Sequence, residues 1–441
     1  MVIHLFSLYG ILIVFSLLLV VVWSGLHSAR TLHMLQLDSY LNARLFKWLL
    51  ARLLIRFFDL RLMLLFSVLG VACLALWLLE VGYGPYLVLT ASCCGGIILL
   101  RYRKQPEAKK ALLYTARAKR ILILSILIDL VAAAGFGFYA MRQLAQGMTL
   151  AGTYTATSLV LLAGLMIIQL APLGVMLANF FLAPVQAAIN AHYIAAARRQ
   201  LRQFAPTVIG ITGSYGKTST KYFLHTILSE RFQALKTPQS FNTMLGICRV
   251  INDELRPQHQ VFVVEMGAYS RGVIRTLSCF VRPQIGILTA IGPQHLERFK
   301  TLDNIEAAKY ELVEGLPSSG IAVFNNDDPR CRKLADRTQS ITVLRYGLEH
   351  LQPGLRVWAE DVVQSRQGLS FTLVDSDGHR ETTHTVVLGR HNVLNMLGAA
   401  CVALEMGLSL KEIAQAIPKI ESAPHRLQLL QGAGGVTVID D

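Results

Sequence analysis

Five apolar stretches within the first 185 residues constrain this chain more than anything else in it. They run Val2–Gly25, Leu62–Leu79, Tyr86–Leu100, Ile121–Met141 and Ser158–Leu182. A bilayer crossing by an α-helix takes roughly 20 apolar residues, so each stretch is a candidate span, with the third the shortest. Only 16% of the 441 residues are charged, against roughly a quarter in an average soluble chain. The first stretch lacks the basic flank and cleavage site of a signal peptide, so it is read as a retained helix.

The charged loops give an orientation. Arg30, Arg44, Lys47, Arg52, Arg56 and Arg61 follow the first stretch, "RYRKQPEAKKALLYTARAKR" follows the third, and Arg198, Arg199 and Arg202 follow the fifth. The turn at Gly82–Pro85 has no Lys or Arg, and the 142–157 loop has only Arg142. Basic loops stay on the cytoplasmic side. The sequence therefore predicts five crossings, the N-terminus outside, and everything after about residue 185 in the cytosol. The segment "HMLQLDSYLNARLFKWLLARLLIRFF" is basic and amphipathic, fitting either an interfacial helix or an ordinary positive loop. The net charge of +14 is mostly juxtamembrane, which points to membrane lipids and away from nucleic acid. Seven cysteines without a C-x-x-C pair or metal spacing fit a reduced setting.

From residue 206 the pattern changes. "TVIGITG" (207–213), "QVFVVEMGA" (260–268), "PQIGILTAIG" (283–292) and "GIAVFNNDD" read as buried strands, alternating with helical stretches from about Lys217 to Ser229 and at "DNIEAAKYELVEGL". Such alternation implies a mostly parallel sheet covered on both faces. Residues 354–388 instead read as a small antiparallel subdomain around "SDG". The fold class is thus an α-helical membrane region (1–185), a basic juxtamembrane linker (186–205), and an α/β domain with a phosphate-loop-type sheet (206–435).

The chemistry centres on "GSYGKTST". Set between a strand and a helix, the loop Gly213, Ser214, Tyr215, Gly216, Lys217, Thr218 and Ser219 turns backbone N–H groups and a helix N-terminus towards an anion. Lys217 brings a positive charge for nucleotide phosphates, and Thr218 a hydroxyl for Mg²⁺. Glu265 ends the second strand, where a carboxylate can hold Mg²⁺ through oxygen. His295 and Lys309, taken singly, are ordinary structural or surface residues.

The ordered set TGxxGKT, VxEMGA, IGPxHLERF and AAKxEL resembles the central domain of the Mur ligases, nearest the branch that adds D-alanyl-D-alanine to UDP-N-acetylmuramoyl-tripeptide. "QSFNTMLGI" (239–247), "FNNDDP" (324–329), "GRHNVLNMLGAA" (389–400) and "APHRLQLL" (423–430) extend the resemblance over about residues 205–441. It implies an ATP site in which Lys217 binds phosphates and Thr218 with Glu265 holds one Mg²⁺. It places His295 and Lys309 at a second Mg²⁺, with Lys309 carbamylated. It puts Asn326, His391, Asn392, Asn395, Arg426 and Asp441 around nucleotide and reacting groups. The implied activity is ATP-dependent amide-bond formation through an acyl phosphate, joining a peptidoglycan-precursor-like acceptor to an amino acid or dipeptide at the bacterial cytoplasmic (inner) membrane. Folylpolyglutamate and cyanophycin-type ligases share this core, and a non-catalytic nucleotide-binding scaffold or sensor of cell-wall synthesis is the alternative of another class. Family ligases begin with a UDP-gripping domain, where this chain has apolar stretches. They also continue beyond a hinge that matches residues 436–441, so a further domain is expected in a longer product or a partner.

Overall fold

The computed structural model describes all residues except 1, 52–59, 102–110, 146–148, 239–240, 349–353, 366–367, 425, 432–436 and 441. The chain divides into two units, Met1–Ile189 and Asn190–Asp441.

The first unit is helical: α1 (Val2–Leu37), α2 (Asn42–Leu50), α3 (Leu60–Leu78), α4 (Gly84–Arg101), α5 (Ala116–Ala145) and the start of α6 (Leu150–Phe204). Among the described residues, α1, α3, α5 and α6 are long and apolar enough to cross a membrane, while the apolar part of α4, Gly84–Leu99, is shorter. Within the basic amphipathic segment, α2 buries Leu45 and Leu49, and residues 52–59 lie outside the described set.

Neighbouring contacts give the helix directions. Ser24 donates to Asp129, Gly25 meets Ile126 and Gly137 meets Leu17, so numbers rise in α1 as they fall in α5. Tyr9 donates to the Thr153 carbonyl at 2.6 Å, and His27 Nδ1 lies 3.0 Å from the Ile168 carbonyl, so α1 and α6 are parallel. Ser16 with Cys93 and Trp23 with the Gly96 carbonyl make α4 parallel to α1. Cys73 with Ser158 and Phe66 against Gly164 make α3 antiparallel to α6. The five apolar helices α1, α3, α4, α5 and α6 therefore alternate in direction along the chain, as serial crossings require.

Where the sequence reads a linker over 186–205, the structure continues α6 to Phe204 without a break. The physical reason is composition: beyond Pro184 the segment has neither Gly nor Pro and is rich in Ala, Gln and Arg, all strong helix formers.

The second unit is built on one nine-stranded sheet in the order β2-β3-β1-β4-β5-β6-β7-β8-β9. Its strands are β1 (Thr207–Thr212), β2 (Ala234–Lys236), β3 (Val261–Glu265), β4 (Ile285–Leu288), β5 (Ile321–Asn325), β6 (Thr342–Gly347), β7 (Val357–Ser365), β8 (Gly368–Asp375) and β9 (Arg380–Thr385). Pairing is parallel through β6–β7 and antiparallel through β7–β8–β9. The antiparallel strands are thus an extension of the main sheet. β7 leaves the segment around Leu355 alongside β6, so the ladder continues and no separate core is needed.

Helices α7 (Lys217–Leu228), α8 (Met244–Glu254), α9 (Val273–Val281), α10 (Leu296–Phe299), α11 (Leu302–Glu314), α12 (Pro329–Arg337), α13 (His391–Glu405) and α14 (Leu410–Ala416) cover the sheet. Two apolar cores result. One packs Ile209, Ile211 and Val263 against α7 and α13; the other packs Val208, Phe262 and Val264 against α8, α9 and α11. β1 supplies alternate side chains to both, each worth about 1.5–3 kcal/mol when fully buried. This fixes the carboxyl ends of β1 and β3 side by side, in register from Thr207 with Val261 to Ile211 with Glu265. A last hairpin pairs β10 (Gln428–Gln431) with β11 (Thr437–Asp440).

Candidate active site

The polar residues gather beyond the carboxyl ends of β1, β3 and β4, where ligands of open parallel sheets sit. β1 ends at Thr212, and the chain turns through Gly213 at φ +150° and Gly216 at φ +80°. Both glycines are required. A Cβ at Gly213 would collide with Thr289 Oγ1, and one at Gly216 with Asn395 Oδ1. Ser214 pins the loop, its N–H donating to the Ala290 carbonyl at 2.7 Å and its hydroxyl to the Gly292 carbonyl at 2.9 Å. Lys217 then opens α7, and its ammonium curls back to donate to the carbonyls of Gly213 at 2.7 Å and Ser214 at 3.1 Å. Burial lowers the Lys217 pKa, Glu265 opposes that, and Arg426 adds to it.

Glu265, only 1% exposed, is held on three sides. Its Oε2 accepts from Thr218 Oγ1 at 3.0 Å and from Lys221 Nζ at 2.9 Å; its Oε1 accepts from Asn242 Nδ2 at 3.0 Å. Burial alone would raise its pKa, but the Lys221 charge, the hydrogen bonds from Lys221 and Asn242, and the Lys217 charge leave it below the ordinary carboxylate value. Lys221 and Asn242 escape a sequence reading because a lysine in "KTSTKYFL" looks solvated. The available signal is spacing: Lys221 lies one helical turn after Lys217 and so faces the sheet with it.

His295 sits at φ +54°, capping the single turn of α10, with its ring edge-on to Tyr269 at 4.8 Å between centroids. Burial and the charges of Lys309, Arg298 and Lys217 lower its pKa. Lys309, on α11, is 2% exposed. Burial, reinforced by Lys217 and only partly opposed by Glu265, brings it down to about 7.

A cavity of about 330 Å³ adjoins the loop, lined by its residues Ser214 to Ser219 together with His391, Asn392, Asn395 and Arg426. Asn395 donates to Asn392 Oδ1 at 3.0 Å, and its own Oδ1 accepts from Thr220 at 3.4 Å, tying α13 to α7. Asn326 does not line this cavity; it is buried after β5, where Arg345 donates to its side-chain oxygen at 3.3 Å. Asp441 lies outside the described residues.

The donor set can be tested against a metal. Thr218 hydroxyl and Glu265 carboxylate oxygens are adjacent hard donors, which suit Mg²⁺. Lys309 as an ammonium does not ligate a cation, whereas the oxygens of an N-carboxylated Lys309 would be hard donors of the kind Mg²⁺ takes.

Residues 211–403 match the Mur ligase middle domain. The chain is 36% identical over 245 residues to a UDP-N-acetylmuramoyl-tripeptide–D-alanyl-D-alanine ligase of Mycobacterium leprae, covering 53% of this chain and 47% of that protein. It is 30% identical over 242 residues to the enzyme of the same description from Escherichia coli, covering 55% and 53%. The solved structure of MurF from Acinetobacter baumannii superposes with a TM-score of 0.53 at 30% identity, over 57% of this chain and 54% of that one. A Thermotoga maritima MurF ligase solved with ADP gives 0.52 at 27% identity, over 57% of each chain. The chain spans about half the length of the curated relatives it matches.

Proposed function

We propose that this chain, whose residues 211–403 are a Mur ligase middle domain, is a membrane-anchored ATP-dependent ligase that forms an amide bond on a peptidoglycan-precursor-like acceptor. The observation that carries the reading is the meeting, at the ends of β1 and β3, of a glycine loop bearing Lys217 with the Thr218–Glu265 pair. In this reading ATP phosphorylates a substrate carboxylate, and an amino acid or dipeptide attacks the acyl phosphate to give amide, ADP and phosphate. Lys217 and the loop N–H groups stabilise charge on the transferring phosphoryl group. Thr218 and Glu265 would hold one Mg²⁺ and His295 with a carbamylated Lys309 a second, supplying further charge neutralisation. The cavity side chains His391, Asn392, Asn395 and Arg426 would orient nucleotide and reacting groups, and Asn326 and Asp441 would complete that set.

The helices α1, α3, α4, α5 and α6 are taken as crossings of the bacterial inner membrane, with the α/β unit in the cytoplasm. The direct experiment is ADP release by the full chain in lipid nanodiscs, given UDP-N-acetylmuramoyl-tripeptide with D-alanyl-D-alanine, or a lipid-linked acceptor. Amide product with stoichiometric ADP supports a ligase. Nucleotide binding without turnover for every acceptor–amine pair would make the protein a nucleotide-binding scaffold instead.

A further inference from the structure

Lys221 is the least expected residue in the second unit. It is fully buried, and its ammonium is spent on Glu265 Oε2, the same oxygen that Thr218 addresses. We propose that Lys221 is a positioning residue that makes divalent-metal binding at Glu265 conditional on nucleotide. This rests on the reading of the site as a nucleotide–metal site.

The argument is one of charge and direction. Asn242 fixes Oε1 and Lys221 fixes Oε2, so the carboxylate cannot swing and its remaining lone pairs point in set directions. A fixed donor set of this kind is what binding without reorganisation requires. Yet the same ammonium cancels the negative charge that would draw a cation in. Lys217 also acts on Glu265, Lys309 is coupled to the same carboxylate and Lys236 to Lys221, so lysine side chains outnumber the one carboxylate here. A free divalent ion approaching Oε2 meets a net positive field in a place that excludes water, where such repulsion is strong. Nucleotide phosphates at the loop reverse that sign. The cation then enters with, or after, the polyphosphate, onto a carboxylate already held in place.

The alternative is that Lys221 only satisfies a buried carboxylate, in which case its removal would cost stability but leave metal affinity tied to nucleotide as before. Mn²⁺, read by electron paramagnetic resonance on the full chain in lipid nanodiscs, separates the two. Nucleotide-free wild type should leave the free Mn²⁺ signal unchanged. Lys221→Met should take up Mn²⁺ without nucleotide, at least about tenfold more tightly than wild type, and Lys221→Arg should behave as wild type. Tight Mn²⁺ binding by nucleotide-free wild type overturns the proposal, and so does equal affinity in wild type and folded Lys221→Met. Should Lys221→Met not fold, Lys221→Gln, which removes the charge but keeps a hydrogen-bond donor beside Glu265, takes its place: it should also take up Mn²⁺ without nucleotide, and wild-type behaviour in that variant overturns the proposal. ADP binding by the wild type, measured separately, tests the underlying site; its absence would bring down the nucleotide reading itself.

Discussion

The two halves of this molecule handle buried polar groups in opposite ways. In the helical unit the long-range side-chain bonds are pairs at helix–helix contacts: Ser24 with Asp129, Tyr9 with Thr153 and Thr157, Asn179 with Asn42 and the Tyr40 carbonyl; Thr31 and Ser125 bond back to carbonyls of their own helices. They are spread along the bundle and each completes a local account. In the α/β unit the charged groups converge. Lys217, Lys221, Glu265 and Lys309 sit close enough that Lys217 pushes the Lys309 pKa down and Glu265 must serve both Lys221 and Thr218. Dispersed polar pairs hold helices together; like charges packed at one strand end oppose folding and persist where chemistry needs them.

The strongest way to break this contrast is Lys217→Ala. If the α/β cluster is for chemistry, losing the ammonium should lower ATP turnover at least about a hundredfold, near 3 kcal/mol of transition-state stabilisation. Membrane insertion and the melting of the helical unit should not change. Near wild-type turnover in the variant would refute the assignment of Lys217.

Most of the candidate site was legible in the sequence because its signals are local. β1, the glycine loop and α7 follow one another within Thr207–Leu228, and Glu265 closes an uninterrupted apolar strand. What escaped depends on distant partners. β2 is three half-buried residues, Ala234–Lys236, and forms a strand only because β3 lies beside it. Thr342–Gly347 becomes β6 through pairing with β5 and β7. The antiparallel strands were foreseen, but their attachment to the main sheet is a tertiary fact. Lys221 carries no signal as a residue type, and Asn242 falls within "QSFNTMLGI" with no role read for it; only the fold makes them Glu265's partners.

Lys309 offers a smaller and more graded test. Its folded value of about 7 lies below the ordinary lysine value of 10.5. Between those two pH values the unfolded chain holds a proton that the folded chain has released. The contribution of Lys309 to stability therefore improves as pH rises through that window, and below about 7 both states are protonated. The neutral amine is also the form that takes up CO₂. In ¹³C-bicarbonate buffer a carbamate signal should grow several-fold as pH is raised through about 7, and be missing in Lys309→Met. A signal independent of pH, or none at any pH, would remove the carbamate from the proposed site. Nothing in the helical unit should respond.

The smallest expected effect probes the other side of the comparison, at His27. Pro172 lies inside α6 and has no N–H, so the carbonyl four residues earlier, that of Ile168, loses its partner within the helix. His27 Nδ1 on α1 stands 3.0 Å from that oxygen; because a carbonyl only accepts, Nδ1 carries the proton and donates. His27→Ala should therefore destabilise the helical unit by about 1 kcal/mol, the scale of interhelical hydrogen bonds in membrane proteins, while leaving ADP affinity unchanged. His27 also makes other contacts, so a double-mutant cycle is needed to isolate this one. Pro172→Ala restores an N–H that can satisfy Ile168 from within α6. In that background the cost of His27→Ala should shrink by most of that 1 kcal/mol, measured as unfolding of the full chain in detergent. An undiminished cost would mean that His27 stabilises the bundle by packing alone. A change in ADP affinity would mean that polar contacts in the helical unit are not confined to holding helices together, and the division drawn between the two halves would fail.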